Sequence, residues 1–442
     1  MSRRLTIGLR YTRQEHWVGG FYYVQNLVRA LALLPEGRRP RLVMIGGDAP
    51  RLDELRRATG YPGLSRVSRT RLVRAPASGM LRRLIGPREE EIDVILLGSS
   101  PGLEDRAVQW IPDFQEERFP DFFAPEELAA RRAHNREVLA AHLHVMVSSR
   151  DCAEELARAY GRAGPDVHVI RFASFVAPEL AGVDPAAVRA RYGIEGRYLI
   201  CANQFWKHKN HALVLRALAQ AGPAALPVVF TGREEDPRDS AYGPSVRLLA
   251  RELGVEDRCR FLGFLPRPDQ LALMAGAVAV VQPSLSEGWS TVIEDAKALG
   301  RWVLASDIPL HREQVDRNVD VFPAARCPGP GGLDASLRRR RSRCSVYGLC
   351  RGPAPLRRRS LGHDRGCGAR FPPTADAADR GQALTSGLRR AFAPASAMAA
   401  SMAAAMRWSA RPGSRAAARK ASLRASQSSP SSRGSPSPGV YG

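Results

Sequence analysis

Two of the chain's four lysines lie in one short polar segment, residues 203–211. Arginine supplies the other 62 of the 66 Lys and Arg side chains, so Lys207 and Lys209 differ from the rest of the chain in residue type. The segment lies between a predicted strand and a predicted helix, which is where open α/β sheets bind their ligands. A compact ammonium group there could neutralise an anionic group such as a phosphate. A solvated loop is the alternative interpretation.

Two carboxylates flank another strand-to-helix turn. Glu287 lies in the loop after a predicted strand, and Asp295 lies eight residues later, inside the next predicted helix. Four backbone N–H groups lie between the carboxylates, those of Gly288, Trp289, Ser290 and Thr291. Because the start of a helix carries partial positive charge, these N–H groups would face a phosphate. The two carboxylates would then bind hydroxyl groups at the two ends of the same ligand.

Two weaker signals lie earlier in the chain. Gly19 and Gly20 come between the first predicted strand and the first predicted helix, where backbone N–H groups can approach a phosphate. A simple turn is the alternative, and the pair is not a G-x-G-x-x-G dinucleotide fingerprint. Asp113 and Gln115 follow another predicted strand and could contact an acceptor substrate. A turn formed by the Pro-Asp pair is the alternative there.

Strands that alternate with helices must position these residues. In the first part of the chain, apolar runs predict strands at 5–11, 41–45, 92–97, 107–111 and 143–147, and helices at 21–34 and 150–159. In the second part they predict strands at 198–202, 227–231, 259–262, 277–282 and 302–306, and helices at 211–221, 245–253, 268–275 and 291–299. Capping boxes are predicted at 148–151 and at 291–294, and the second explains Glu294 better than ligand binding does. Residues 55–90 are predicted to form a long surface insertion.

This alternation predicts parallel sheets that helices cover on both faces. We therefore expect an α/β fold with two Rossmann-like doubly wound domains, an N-terminal domain over 1–175 and a C-terminal domain over 176–322. A ligand cleft is expected between them, at the carboxyl ends of the strands. The length of 442 residues suits such an organisation.

The net charge of +22 is concentrated in the last part of the chain. Residues 323–442 hold 22 basic and 4 acidic side chains, whereas residues 1–322 carry a net charge of only +4. This tail lacks Glu and hydrophobic periodicity, which predicts disorder. The scarcity of lysine indicates a GC-rich gene, and out-of-frame GC-rich DNA encodes Arg, Pro, Ala, Gly and Ser. We therefore interpret the tail as the product of a reading-frame shift near Pro323–Cys327.

Two other interpretations of the tail stay open. A natural basic tail could bind nucleic acid or anionic lipid. A zinc or disulfide module is the other, although the four tail cysteines show no metal-binding spacing. For the whole chain, the longest apolar run, residues 271–281, is much shorter than a membrane span needs. The first residues contain no signal-like apolar segment, so we expect neither a secreted nor an integral membrane protein.

Several ordered motifs together resemble the group 1 glycosyltransferases, a family of retaining enzymes with the GT-B fold that use nucleotide sugars. Glu287-Gly-Trp-Ser and the following Asp295-Ala are similar to the family's E-x7-E segment. Four further segments are similar to the family, residues 203–211, the Gly263-Phe-Leu-Pro266 turn, residues 110–115 and residues 307–313. The likeness covers residues 5–322.

The resemblance implies roles for the residues that would bind the donor. Lys209 would neutralise the leaving diphosphate, and Glu287 would hold sugar hydroxyl groups. Asp295 would bind the ribose, although it is one methylene shorter than the family's Glu. Phe264 and Leu265 would frame the nucleobase, partly through backbone groups.

Further roles and one departure follow from the same resemblance. Gly19 and Gly20 would lie against the donor diphosphate and leave room for the acceptor. The family usually has an arginine a few residues before the lysine, and Gln204 stands near that place. Lys207 is therefore expected to supply the second cation.

The resemblance thus implies a hexosyltransferase that moves a hexose from a nucleoside-diphosphate sugar to a glycan or lipid-linked acceptor with retention of configuration. Residues 1–322 contain no Asp-x-Asp motif, so no metal or other cofactor is expected, and fixed cations and N–H dipoles would lower the barrier. We expect a bacterial, cytoplasmic enzyme of polysaccharide biosynthesis with peripheral contact at the inner face of the membrane. The tail replaces elements that the family has after Glu313, so weak or absent activity is predicted.

Two other functions stay open at this point. A sugar-nucleotide epimerase of similar two-domain architecture would change donor stereochemistry without an acceptor. A nucleic-acid-binding protein would act through the basic tail, with steep salt dependence. We expect no specific nucleic-acid partner.

Overall fold

A computed structural model describes residues 4–11, 18–46, 48–67, 92–99, 104–162, 164–315, 318–322 and 324. These residues form two compact units. The first comprises the described residues up to Glu117 together with Pro125–Phe172. The second comprises Arg118–Ala124 and the described residues from Ala173 onward. The predicted disordered tail lies outside the described residues except for residue 324, and so does the predicted insertion beyond residue 67 as far as residue 91.

The described residues of the first unit contain a seven-stranded parallel sheet. Its strands are β1 (Thr6–Leu9), β2 (Arg41–Ile45), β3 (Leu64–Val67), β4 (Val94–Leu96), β5 (Ala107–Ile111), β6 (His144–Val147) and β7 (Asp166–Val169). Their order across the sheet is β3-β2-β1-β4-β5-β6-β7, and each neighbouring pair is parallel. The chain therefore starts in the middle of the sheet and winds outward in both directions, as in a doubly wound fold.

The helices of the first unit are α1 (Val18–Ala32), α2 (Ala49–Thr59), α3 (Gln115–Arg118), α4 (Pro125–Ala141) and α5 (Arg150–Tyr160). The predicted surface insertion over 55–90 is wrong in its first part, because α2 and β3 are regular elements there. The Asp48 carboxylate accepts a hydrogen bond from the Arg51 N–H at 3.0 Å and caps α2. Leu52 and Leu55 are the buried residues of this helix, so its hydrophobic periodicity is weak.

The described residues of the second unit contain a six-stranded parallel sheet of order β10-β9-β8-β11-β12-β13. Its strands are β8 (Leu199–Cys201), β9 (Val228–Phe230), β10 (Cys259–Phe261), β11 (Ala279–Gln282), β12 (Trp302–Ser306) and β13 (Val319–Phe322). Its helices are α6 (Ala177–Leu180), α7 (Pro185–Arg191), α8 (His211–Ala221), α9 (Tyr242–Glu252), α10 (Arg267–Gly276), α11 (Thr291–Ala298) and α12 (Pro309–Gln314). The prediction of two doubly wound α/β sheets is confirmed. Within the described ranges, no helix has the length and apolar character needed to cross a bilayer.

The core of the second unit explains why its strands are continuous apolar runs. Leu199 and Cys201 of β8 pack into a cluster on one face of the sheet. Ile200 and Ala202 pack into a second cluster on the other face. A parallel sheet covered on both sides buries every residue of a central strand, so alternation of polar and apolar residues disappears.

Both predicted capping boxes are shifted by one residue. The helix cap before α5 is Ser149, whose Oγ accepts from the Cys152 N–H at 3.0 Å. The cap before α11 is Ser290, whose Oγ accepts from the Ile293 N–H at 3.3 Å, so Thr291 is already helical. Two hydroxyl residues stand side by side at each position, and the sequence pattern does not distinguish between them.

Candidate functional site

Four loops meet at the carboxyl edge of the second sheet, because all its strands run in the same direction. The residues of interest are Lys209 after β8, Arg233 after β9, Phe264 after β10 and Glu287 after β11. In open α/β sheets this edge is where ligands bind.

A left-handed residue directs Lys209 towards the loop after β11. Lys209 ends a 3-10 turn, and Asn210 follows with φ 55°. Asparagine adopts this conformation more readily than most residues. The Asn210 Nδ2 donates to the Pro283 carbonyl at 3.3 Å, and the Leu285 N–H donates to the His208 carbonyl at 2.7 Å. These two bonds tie the loop after β8 to the loop after β11.

Glu287 is held by three donors at a single oxygen. Its Oε1 lies 2.6 Å from the Lys209 Nζ, 2.7 Å from the Gln282 Nε2 and 2.6 Å from the Ser284 Oγ. The side chain of Glu287 is only 8% exposed. Among the residues that the structure describes, none bonds its second oxygen, Oε2. The carboxylate is therefore fixed in orientation and keeps one oxygen for a further donor, such as a hydroxyl group.

A buried histidine supports this group from behind. The His311 Nδ1 lies 2.8 Å from the Ser306 carbonyl oxygen, which can only accept, so Nδ1 carries the proton. Burial lowers the pKa of His311, so its ring is neutral near pH 7. The Ser306 Oγ donates in turn to the carbonyl of Ser284, one of the residues that hold Glu287.

The start of α11 is held by a side chain from α12. The predicted phosphate-facing residues Gly288, Trp289, Ser290 and Thr291 lie at this helix start. The Gln314 Oε1 accepts from the Ser290 N–H at 3.1 Å, and its Nε2 donates to the Ser290 carbonyl at 2.7 Å. The N–H of Ser290 is thus already bonded within the protein. The N–H groups of Thr291 and Val292 have no acceptor inside the helix, as at every helix start.

The prediction that Glu294 closes a capping box is wrong. Its Oε1 accepts from the Lys297 Nζ and from the Gln314 Nε2, each at 3.0 Å. Burial raises the pKa of Glu294, and the positive charge of Lys297 opposes that shift. Glu294 therefore joins α11 to α12.

Asp295 is part of a bidentate ion pair. The Arg267 guanidinium donates to both its carboxylate oxygens, at 2.7 Å and 2.6 Å. Both side chains are largely buried. A ribose hydroxyl group at Asp295 must therefore share an oxygen with Arg267, a partner that the sequence did not indicate.

Lys207 is also paired. Its Nζ lies 2.7 Å from the Asp239 Oδ2. This contact lowers the pKa of Asp239, mainly through the hydrogen bond from Lys207. The charge of Lys207 is thus already balanced by a carboxylate, in contrast to its predicted use as the second cation.

Phe264 and Leu265 lie in different environments. Phe264 is 51% exposed, and the Arg233 guanidinium carbon lies 4.9 Å from the centre of its ring. Leu265 is buried and packs in the hydrophobic core beside α10. The side chain of Leu265 therefore cannot frame a nucleobase, and only its backbone groups could do so.

In the first unit, the structure places Gly19 and Gly20 in the first turn of α1, earlier than the predicted helix start. Asp113 and Gln115 lie after β5 and bond each other. The Asp113 carboxylate accepts from the Gln115 N–H at 3.3 Å and from the Gln115 Nε2 at 3.1 Å. This is the turn that was the alternative interpretation of the Pro-Asp pair.

Residues 188–325 match the model of the family described as glycosyl transferases group 1. This segment belongs to the group 1 glycosyl transferases. The match runs from within α7 past β13 and contains Lys209, Glu287 and Asp295. The resemblance stated from the motifs is confirmed for this glycosyl transferase domain.

Solved structures of several glycosyltransferases are similar to the chain. HepE of Anabaena, in complex with UDP and glucose, is 16% identical, with 73% of this chain and 86% of that chain covered and a TM-score of 0.49. Sucrose-phosphate synthase of Thermosynechococcus elongatus is 15% identical, with 96% and 100% covered and a TM-score of 0.49. A glycosyltransferase of Rickettsia africae is 14% identical, with 78% and 89% covered and a TM-score of 0.49. No curated protein matches the chain in sequence.

Proposed function

We propose that the protein is a retaining hexosyltransferase, which moves a hexose from a nucleoside-diphosphate sugar to a glycan or lipid-linked acceptor without a metal ion. The observation that supports this most directly is the contact of Lys209 with Glu287, 2.6 Å between Nζ and Oε1, in the glycosyl transferase domain. The contact brings a cation and an anion to one place. A donor with an anionic leaving group beside sugar hydroxyl groups needs both.

Lys209 stabilises the leaving group. As the bond from the sugar to the diphosphate breaks, negative charge collects on the diphosphate while the sugar becomes oxocarbenium-like. An ammonium group has three N–H donors, and the contact with Glu287 uses one of them. The other two can reach diphosphate oxygens. One fixed donor aimed at developing charge is worth about 3–4 kcal/mol in comparable oxyanion sites.

Glu287 orients the sugar. Its Oε1 is occupied by Lys209, Gln282 and Ser284, so Oε2 is the oxygen that accepts from a sugar hydroxyl group. Because the carboxylate is buried and bonded before the donor arrives, little reorganisation is needed when the sugar binds.

The start of α11 completes the donor site. The N–H groups of Thr291 and Val292 and the partial positive charge of the helix end attract a phosphate. Asp295 binds the ribose through an oxygen that also accepts from Arg267. In the first unit, Gly19 and Gly20 serve the diphosphate, and Asp113 and Gln115 serve the acceptor.

The cellular role follows the same proposal. We place the enzyme in a bacterial cytoplasm, at the inner face of the membrane, where lipid-linked acceptors of polysaccharide biosynthesis are found. Slow transfer by this chain stays a prediction, because it depends on the tail outside the described residues. Donor binding is therefore the first property to measure.

The experiment is donor protection of the full chain. Thermal unfolding is measured with GDP, UDP, ADP and the corresponding nucleotide sugars, and one base is expected to stabilise the wild-type protein. Lys209→Met should abolish most of that stabilisation. Arg312→Met is the matched control, because it removes an exposed ion pair with Asp307 and should leave donor binding unchanged.

A product assay separates the alternatives. An α-linked donor should give an α-linked product, observed from the anomeric proton by NMR. A change of sugar stereochemistry without an acceptor would indicate an epimerase. The absence of stabilisation by every nucleotide and nucleotide sugar would contradict the proposal.

A further inference from the structure

One arginine at the carboxyl edge of the second sheet differs from its neighbours. Three arginines of this unit each donate two hydrogen bonds to one carboxylate, Arg238 to Asp236, Arg247 to Glu234 and Arg267 to Asp295. The Arg233 guanidinium has no carboxylate or other hydrogen-bond partner among the residues that the structure describes. Its Nε is buried without an acceptor. The positive charge of Arg233 is therefore not neutralised.

The backbone fixes where Arg233 stands. The preceding residue, Gly232, has φ 136°, and a Cβ added there would lie 2.2 Å from the Asn203 carbonyl oxygen. Only glycine fits this close approach between the loops after β8 and β9. The Arg233 carbonyl accepts from the Phe205 N–H at 2.9 Å. Arg233 is thus tied to the same loop that carries Lys209.

An exposed ring fixes where the side chain of Arg233 points. The guanidinium carbon lies 4.9 Å from the centre of the Phe264 ring, although half of that ring faces solvent. A guanidinium stacked on an aromatic face keeps its in-plane N–H donors for an acceptor at its edge. Phe264 therefore supports a cation, and its stacked face is not available to a nucleobase.

We propose that Arg233 binds the diphosphate of the donor as the second cation beside Lys209, and that Phe264 holds Arg233 in place rather than stacking on the nucleobase. This inference rests on the proposed function. It accounts for Gln204, which stands near the expected arginine, and for Lys207, whose charge Asp239 balances. The planar fork of a guanidinium matches two phosphate oxygens better than a single ammonium does.

Calorimetry on the full chain tests the proposal, with the nucleoside diphosphate that stabilises the wild-type protein as ligand. Arg233→Met should weaken its binding about 10- to 100-fold, as expected for the loss of a charge-assisted hydrogen-bond pair. Arg233→Lys should fall between, because it keeps the charge and loses the fork. Inorganic pyrophosphate should displace the nucleotide from the wild-type protein and do so less well from Arg233→Met.

Arg247→Met is the matched control. Its guanidinium also lies over a phenylalanine, 4.6 Å from the centre of the Phe261 ring, but Glu234 neutralises its charge. This variant should bind the nucleoside diphosphate as the wild type does.

Phe264→Leu separates support of Arg233 from stacking on the base. It should weaken binding in the wild-type background and add nothing in the Arg233→Met background, because the ring acts through Arg233. Equal losses in both backgrounds would show that Phe264 contacts the base and would overturn its assigned role. Unchanged binding by Arg233→Met would overturn the inference and leave the proposed function standing. Failure of the wild-type chain to bind any nucleoside diphosphate would overturn both.

Discussion

Each unit buries a glutamate five residues beyond a strand, Glu116 after β5 and Glu287 after β11. Glu116 is 2% exposed and Glu287 is 8% exposed. The Glu116 Oε1 accepts from the neutral Asn135 Nδ2 at 2.8 Å, whereas the Glu287 Oε1 contacts the Lys209 ammonium at 2.6 Å. Burial first, and then the charge of Asp113, raises the pKa of Glu116 to about 7. The partner, not the position in the fold, decides what a buried carboxylate can do.

The surroundings of the two glutamates differ in the same sense. Beside Glu116, the polar groups bond one another, with Glu117 paired to Arg132 at 3.0 Å and accepting from the Tyr160 hydroxyl at 2.8 Å. Beside Glu287, an oxygen of the carboxylate and donors of Lys209 remain for a ligand. The described part of the second unit therefore carries the donor chemistry.

The largest expected effect concerns the Lys209–Glu287 contact. Glu287→Gln and Lys209→Met should each lower donor turnover by about 10²–10³-fold, because each removes a charge fixed beside the reacting bond. The double variant should be little worse than either single one, since the two residues act as a unit. Release of the nucleoside diphosphate measures the rate, and Glu116→Gln is the matched control with unchanged turnover. A large loss in Glu116→Gln would break the comparison.

The next effect is a pH dependence of stability due to Glu116. Its pKa is raised from 4.5 to about 7 on folding, so its contribution is greatest below pH 4.5 and is lost as the pH rises to about 7. This loss corresponds to about 3 kcal/mol in the free energy of unfolding. Glu116→Gln should remove it and be the more stable protein above pH 7. Urea unfolding from pH 4.5 to 8 measures it, and parallel curves for the two proteins would contradict it.

A smaller effect is expected at Asn135. Asn135→Leu leaves the buried Glu116 without its amide donor, which should cost about 1–3 kcal/mol in the free energy of unfolding. The cost should be larger at pH 8 than at pH 5, because the bond is stronger when the carboxylate is charged. Equal costs at the two pH values would show that Glu116 does not change its charge in this range.

The smallest effect is expected at Ser284. Ser284→Ala removes one of the three donors to the Glu287 Oε1 and should weaken donor binding about 2- to 10-fold, the value of one hydrogen bond. Calorimetry with the nucleotide sugar measures it. Ser245→Ala is the control, because the Ser245 hydroxyl bonds only its own helix, at the Tyr242 carbonyl. A loss as large as that of Glu287→Gln would mean that Ser284 itself contacts the donor.

The fold was most predictable where strands are fully buried. Four predicted elements have the observed bounds, Arg41–Ile45, Ala107–Ile111, His211–Ala221 and Trp302–Ser306. Helix α4 was missed because only Asn135 and Val138 of its residues are buried, so it has little periodicity. Strand β7 was missed because it lies at the edge of its sheet and its first two residues are exposed.

In the site, residue type determined what the sequence could indicate. Lys209 was prominent because lysine is rare in this chain, and Glu287 because of its spacing from Asp295. A single arginine such as Arg233 or Arg267 carries no signal among 62 arginines. Gln314 reaches Ser290 from 24 positions away, a contact that only the tertiary structure brings about.

Strand β13 has a practical consequence for building variants of the chain. It pairs with β12 from Val303 opposite Val319 to Ser306 opposite Phe322, and the Asp307 N–H donates to the Phe322 carbonyl at 2.6 Å. All six strands of the second sheet are thus encoded upstream of codon 323, where the composition changes. That codon is a suitable junction for chimeric proteins, since a reporter or a foreign C-terminal segment joined there removes no rung of the ladder.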